Sequence, residues 1–169
     1  GLGTASVTVA GVTVGALIAC NAVGDVVDPD TGLPLAGART ADGSALRDTR
    51  RALLAGEPPH ALLAGSNTTI GVIATDAQLT KVQAQRLAVA GHDGLARAIN
   101  PVHTMSDGDT LFTLATGVRE QHPGMLVLAT MAAEAVARAT VRAVLTARAL
   151  RLNDGLRLPC HADMVSTGG

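Results

Sequence analysis

Apolar and hydroxyl positions alternate at the start of the chain: Val7, Val9, Val12 and Val14 interleave with Thr4, Thr8 and Thr13, and Gly11 falls between the two groups. Such period-two patterning predicts two short strands over residues 5–20 that turn near Gly11. Asn21 to Pro34 carries Asp28-Pro29-Asp30-Thr31-Gly32 and reads as a long surface loop. Ser44 to Leu54 predicts a short helix, with Asp48 early, Arg50 and Arg51 late, and a stop at Gly56 and Pro58-Pro59. The β-branched run from Thr68 to Ala74 predicts a buried strand. Leu79 to Ile99 has helical character and ends at Asn100-Pro101. Asp109 to Thr116 alternates as another strand, and Gly124 to Leu152 is an Ala-rich helix. Glu134 and four arginines interrupt that last helix, so it is not a membrane span. The order of elements predicts an α/β class in which helices cover a sheet.

A length of 169 residues with 47% hydrophobic content supports one core, so residues 1–169 are expected to form a single domain. Phe112 is the only aromatic ring, which leaves Ala, Val, Leu and Ile to build a closely packed interior. The 13 basic and 14 acidic residues are spread along the chain, giving no footprint for nucleic acid and no polybasic membrane patch. Cys20 and Cys160 lack metal-ligand spacing and are expected to be reduced. Leu17-Ile18-Ala19-Cys20 looks like a lipoprotein cleavage box, but no basic segment precedes it and glycines interrupt the stretch, which favours a buried strand pair. The chain begins with Gly1, which suggests a fragment or a processed product.

Gly65-Ser66-Asn67-Thr68-Thr69 sets small residues before a hydroxyl residue at the entrance of a strand. This is what a self-cleaving N-terminal nucleophile needs: the hydroxyl attacks its own preceding carbonyl, an ester forms, and water releases a chain that begins at Thr. A free α-amino group, with a pKa near about 7.7–8.0, can then accept the hydroxyl proton. On spacing alone the same residues also fit an ordinary turn followed by β-formers. Likewise Ser106-Asp107-Gly108-Asp109 fits a hairpin turn as well as a pair of functional carboxylates. His60, His92, His103, His122 and His161 show no short metal-binding spacing, and no metal or cofactor is expected. His92 reads as structural or surface-exposed.

The segments Thr68 to Ala77, Leu79-Thr80-Lys81, His92 to Ile99 and Pro101-Val102-His103-Thr104, together with Val14 to Val26, resemble the L-aminopeptidase/D-esterase (DmpA-like) family of self-processing hydrolases. The look is nearest to its nylon-oligomer (6-aminohexanoate) hydrolase branch. The resemblance implies an αββα four-layer sandwich shared with ornithine acetyltransferase, of which this chain is a part. It implies cleavage between Asn67 and Thr68, so that residues 1–67 end a large subunit and 68–169 form the small one, with Thr68 as nucleophile. It also carries roles to Asp107 and Asp109 as carboxylates beside the nucleophile, and to Asn21 as a side-chain donor to the oxyanion. The implied activity is hydrolysis of short peptides, β-amino acid amides or aminohexanoate oligomers, without a cofactor, by a homo-oligomer of paired subunits; no secretion signal is visible, so the cytoplasm is the expected compartment.

The family's large subunit is much longer than the 67 residues before Thr68, so a lysine and a tyrosine near the nucleophile in relatives have no counterpart here. Two rivals follow: a truncated or uncut homologue that serves only assembly or binding, and, less favoured, an acyltransferase of the ornithine acetyltransferase type.

Overall fold

A computed structural model describes residues 1–57, 67–153, 155 and 157–165. The Pro58-Pro59 breaker, His60 and the Gly65-Ser66 turn lie outside the described residues. The first two strands, β1 (Leu2–Val9) and β2 (Val12–Ala19), form a hairpin in register from Leu2↔Ala19 to Val9↔Val12. Its two turn residues, Ala10 and Gly11, have φ of 50° and 76°, the left-handed pair that suits the twist of a two-residue hairpin.

Asn21 to Pro34 is more structured than a loop. It holds β3 (Asp25–Val27), which pairs with β4 (Pro34–Ala36). Asp25 organises this region from a buried position, its carboxylate accepting from the Ala38 amide and from the amide and hydroxyl of Thr49. Helix α1 spans Thr49–Leu54 and starts later than the sequence predicts. The reason is local: Ser44 is tied to Asp42 in a turn, while Asp48 caps the helix by accepting from the Arg51 amide at 3.0 Å.

Strand β5 (Ile70–Ala77), helix α2 (Lys81–Ala98), the short β6 (Ile99–Asn100) and β7 (Thr110–Arg119) follow. Thr80 and Gln83 exchange bonds in a capping box at the start of α2. Helix α3 runs from Met125 to Leu145, shorter than predicted. Its Ala, Arg and Leu content continues past Leu145, but Leu150–Arg151 (β8) instead pairs with Arg157–Leu158 (β9), before a final helical turn α4 at His161–Val165. Tertiary pairing overrides helix propensity there.

The main sheet has the order β1-β2-β5-β7, antiparallel except for the parallel β5 and β7, which the α2 crossover joins. Helices α2 and α3 pack on one face. That face buries Val12, Val14, Ala16 and Ile18 from β2, Ile73 from β5 and Leu111 from β7 against Leu87, Leu95, Val136 and the alanines of α3. Contact is close because small residues allow it: a Cβ on Gly3 would overlap the Ala139 carbonyl, and one on Gly94 would overlap the Ala133 carbonyl and Val136. The opposite face leaves Leu17, Ile70, Phe112 and Leu114 exposed. Among the described residues no helix is long and apolar enough to cross a membrane.

Candidate active site

Parallel pairing sets Ile70 beside Thr110, so β5 and β7 begin side by side, and antiparallel pairing brings the end of β2 to the same place through Ala19↔Ile70. Three distant stretches therefore meet at one end of the sheet: Cys20 to Val23, Asn67 to Thr69, and Thr104 to Thr110. Asn67 and Asp107 form a parallel bridge just ahead of the two strands.

Thr68 is half-buried, with its amide donating to the backbone carbonyl of Asn21 at 2.9 Å. Its hydroxyl Oγ1 donates to the Asn67 carbonyl oxygen at 2.5 Å. The same oxygen accepts the Gly108 amide at 3.2 Å. The bond before Thr68 thus has its nitrogen, its carbonyl oxygen and the neighbouring hydroxyl all held. Gly108 has no room for a side chain, since a Cβ there would come within 2.9 Å of Thr68 Oγ1. Asn67 is itself tethered by its side-chain amide, which donates to the Ala22 carbonyl at 3.3 Å.

The two carboxylates lie beside this bond and hold the segments around it. Asp107 accepts from the Val23 amide at 3.1 Å and from the Thr104 hydroxyl at 2.7 Å, tying the loop after β2 to the loop before β7. Asp109 accepts from the Thr69 amide at 2.8 Å, one residue past Thr68. Its other oxygen meets His103 Nδ1 at 2.9 Å. His103 Nε2 in turn meets Nδ1 of His92 on α2 at 3.2 Å, with the rings 4.8 Å apart. Burial, and next the facing His103, hold the His92 imidazole below its ordinary value.

Thr68, Asn67, Asp107, Asp109 and Asn21 are therefore brought together. Sequence reasoning missed His103, the His92 contact and the Gly108 amide. A backbone donor leaves no trace in residue type, and the two histidines stand 11 positions apart with the helix end and a turn between them. Cys20 lies close by, bonded through Sγ to the Thr69 hydroxyl at 3.9 Å, but burial pushes its thiol up, away from the reactive thiolate. Cys20 and Cys160 are both free. Among the described residues no three His, Cys, Asp or Glu side chains converge as metal ligands.

The site presents a hydroxyl against a backbone carbonyl and two carboxylates at the entrance of a parallel strand pair, and comparison with known proteins gives its family. Residues 1–158 match peptidase family S58, and the chain belongs to that family. It is 52% identical over 122 residues to an uncharacterised aminopeptidase of Mycobacterium leprae, covering 71% of this chain and 33% of that protein. It is 41% identical over 182 residues to an uncharacterised aminopeptidase of Mycobacterium bovis, covering 97% and 52%. The chain thus spans between a third and about half of these relatives. A shorter stretch of 50 residues, 30% of the chain and 14% of the relative, is 42% identical to the 6-aminohexanoate-oligomer endohydrolase of Paenarthrobacter ureafaciens.

Among solved structures, a Burkholderia β-aminopeptidase superposes with a TM-score of 0.65 at 28% identity, over 98% of this chain and 48% of that one. The L-aminopeptidase D-Ala-esterase/amidase of Ochrobactrum anthropi, described as a variant of the Ntn hydrolase fold, gives 0.63 at 23% over 98% and 47%. The family and the fold that the sequence resembles are those of this chain.

Proposed function

We propose that this chain is the catalytic core of a self-processing peptidase, in which cleavage between Asn67 and Thr68 makes Thr68 both nucleophile and base. The observation that carries the reading is the grip on the Asn67 carbonyl, shared by the Gly108 amide and the Thr68 hydroxyl. A donor on a carbonyl oxygen lowers the cost of the negative charge that attack creates, an effect of about 3–4 kcal/mol for one donor in well-studied hydrolases.

In the self-processing step Thr68 Oγ1 bonds to the Asn67 carbonyl carbon, the carbon–nitrogen bond breaks, and the hydroxyl proton passes to the departing nitrogen. Water then opens the ester, leaving a carboxylate on Asn67 and a free amine and hydroxyl on Thr68. The new amine lies where the Asn21 carbonyl already holds its nitrogen. The amine then serves as base for the hydroxyl, and a substrate amide passes through an acyl-Thr68 intermediate that water resolves. Asn21 donates its side-chain amide to the substrate oxyanion. Asp107 and Asp109 hold the strand entrances in register around Thr68. Residues 1–67 and 68–169 are then parts of two subunits that stay associated and assemble further. Short peptides, β-amino acid amides and aminohexanoate oligomers are the substrates to screen, since the named relatives include a β-aminopeptidase and an aminohexanoate-oligomer hydrolase.

Denaturing mass spectrometry with N-terminal sequencing tests this. The wild type is expected to yield a piece that begins at Thr68, and Thr68→Ala none. Gly108→Ala, which crowds the hydroxyl, should slow the cut at least about tenfold, the loss expected when a transition-state contact worth about 1.4 kcal/mol is removed. An uncut wild type overturns the reading and leaves an assembly or binding role.

A further inference from the structure

We propose that His103, backed by His92, is a positioning residue for Thr68, acting through the Asp109 carboxylate. The inference rests on the reading of Thr68 as nucleophile and extends it to two side chains outside that mechanism.

The Asp109 side chain is only 2% exposed and points its two oxygens in different directions, one to the Thr69 amide and one to His103. The Thr69 amide belongs to the peptide plane that follows Thr68, so the orientation of this carboxylate sets the orientation of the nucleophile's own backbone. A buried carboxylate with one oxygen unpaired is costly and free to rotate toward water. His103 supplies the second partner and prevents that. A carboxylate accepts on both oxygens, which puts the imidazole proton of this pair on Nδ1.

His103 is itself 38% exposed and sits on a turn with φ of 53°, so it needs an anchor. His92 provides one from the middle of α2, a helix packed closely on α3. The line from Thr69 through Asp109 and His103 to His92 thus ties the strand entrance to a rigid helix. With its proton on Nδ1, His103 has a bare Nε2 that accepts, and His92 Nδ1–H, 3.2 Å away, is placed to donate to it. The titratable groups around the pair are Asp109 on the β7 side and Asp93 on α2.

The substitutions separate positioning from simple packing. In His103→Asn the side-chain amide nitrogen reproduces the position of Nδ1–H, and Asn tolerates positive φ better than most residues, so this variant keeps the donor to Asp109 and loses only the His92 contact. His103→Ala loses both. Appearance of the Thr68 N-terminus is followed over time, and turnover is then measured on an alanyl or β-alanyl p-nitroanilide. His103→Ala is expected to cut at least about tenfold more slowly and to lower kcat with KM changed less than twofold, which is about 1.4 kcal/mol of lost transition-state contact. His103→Asn, which keeps the donor to Asp109 but lacks the His92 anchor, is expected to recover part of both, and full recovery would overturn the anchoring role of His92. Equal cutting and kcat in wild type and His103→Ala overturns the proposal while leaving Thr68 standing. Failure of His103→Asn to recover any of what His103→Ala loses also overturns it, since the donor to Asp109 would then not be the point. A wild type that never cuts at Thr68 sinks the underlying reading instead.

Discussion

The two faces of the main sheet are built from the same four strands and differ in almost every respect. On the side toward α2 and α3, Val12, Val14, Ile18 and Ile73 are sealed, and glycines let helix backbones come close. On the other side Phe112 is 60% and Leu114 61% exposed, in a row with Leu17 and Ile70. A sheet meant to face water on one side alternates polar with apolar residues, whereas strands buried on both sides are apolar throughout. β5 is of the second kind along its first half, and β7 adds Phe112 and Leu114 to the open side. The open face therefore has the composition of an interior surface, and it accords with a fold in which a second layer packs there and with a chain that spans about half of its relatives' length.

The comparison breaks first on its crowded side. Gly94→Val would drive a branched side chain into the Ala133 carbonyl and Val136, and it is expected to cost at least about 3 kcal/mol and to abolish a cooperative unfolding transition in urea. Ile73→Ala removes a fully buried side chain between sheet and helices and should cost about 2–5 kcal/mol by the same measurement. Phe112→Ser with Leu114→Ser, on the open face, should cost less than about 1 kcal/mol in the isolated chain, because surface changes away from special features rarely cost more. Sedimentation should show these two changes weakening self-association, since a contiguous exposed apolar patch favours it. An equal loss of stability on both faces would refute the distinction.

The smallest effect is a titration on the helix side. His92 is held below the ordinary imidazole value of about 6.5, so the folded protein keeps it neutral at pH values where the unfolded chain takes up a proton. The stability it contributes is full above about pH 6.5 and is lost as pH falls through the lowered folded value. Thermal unfolding followed between pH 7.5 and 5 should decline more steeply for wild type than for His92→Gln. Parallel curves would remove His92 from the linkage.

Much of this was legible in the residues. The Val and Thr alternation marks β1 and β2, and the β-branched run marks β5, though the strand starts at Ile70 and leaves Thr68 and Thr69 as its entrance. Thr68, Asp107, Asp109 and Asn21 were singled out only through family resemblance, since each also fits a turn or a cap, and the fold brings them to one end of the sheet. Local competition hid the rest. Asp42 binds Ser44 and delays α1, while strand pairing at Leu150↔Leu158 ends a stretch whose composition would continue α3.

What the sequence determined by itself is the main strands and helices, β1, β2, β5, β7, α2 and α3, and the family, because periodicity acts over a few positions and the resemblance is carried by whole segments. Only the tertiary structure decided that Gly108 donates to the Asn67 carbonyl, that His103 stands behind Asp109, and that one face of the sheet lies open. Each of these depends on strands and helices from distant parts of the chain meeting at fixed distances, and a hydrogen bond made by backbone or across a register has no signature in the order of side chains.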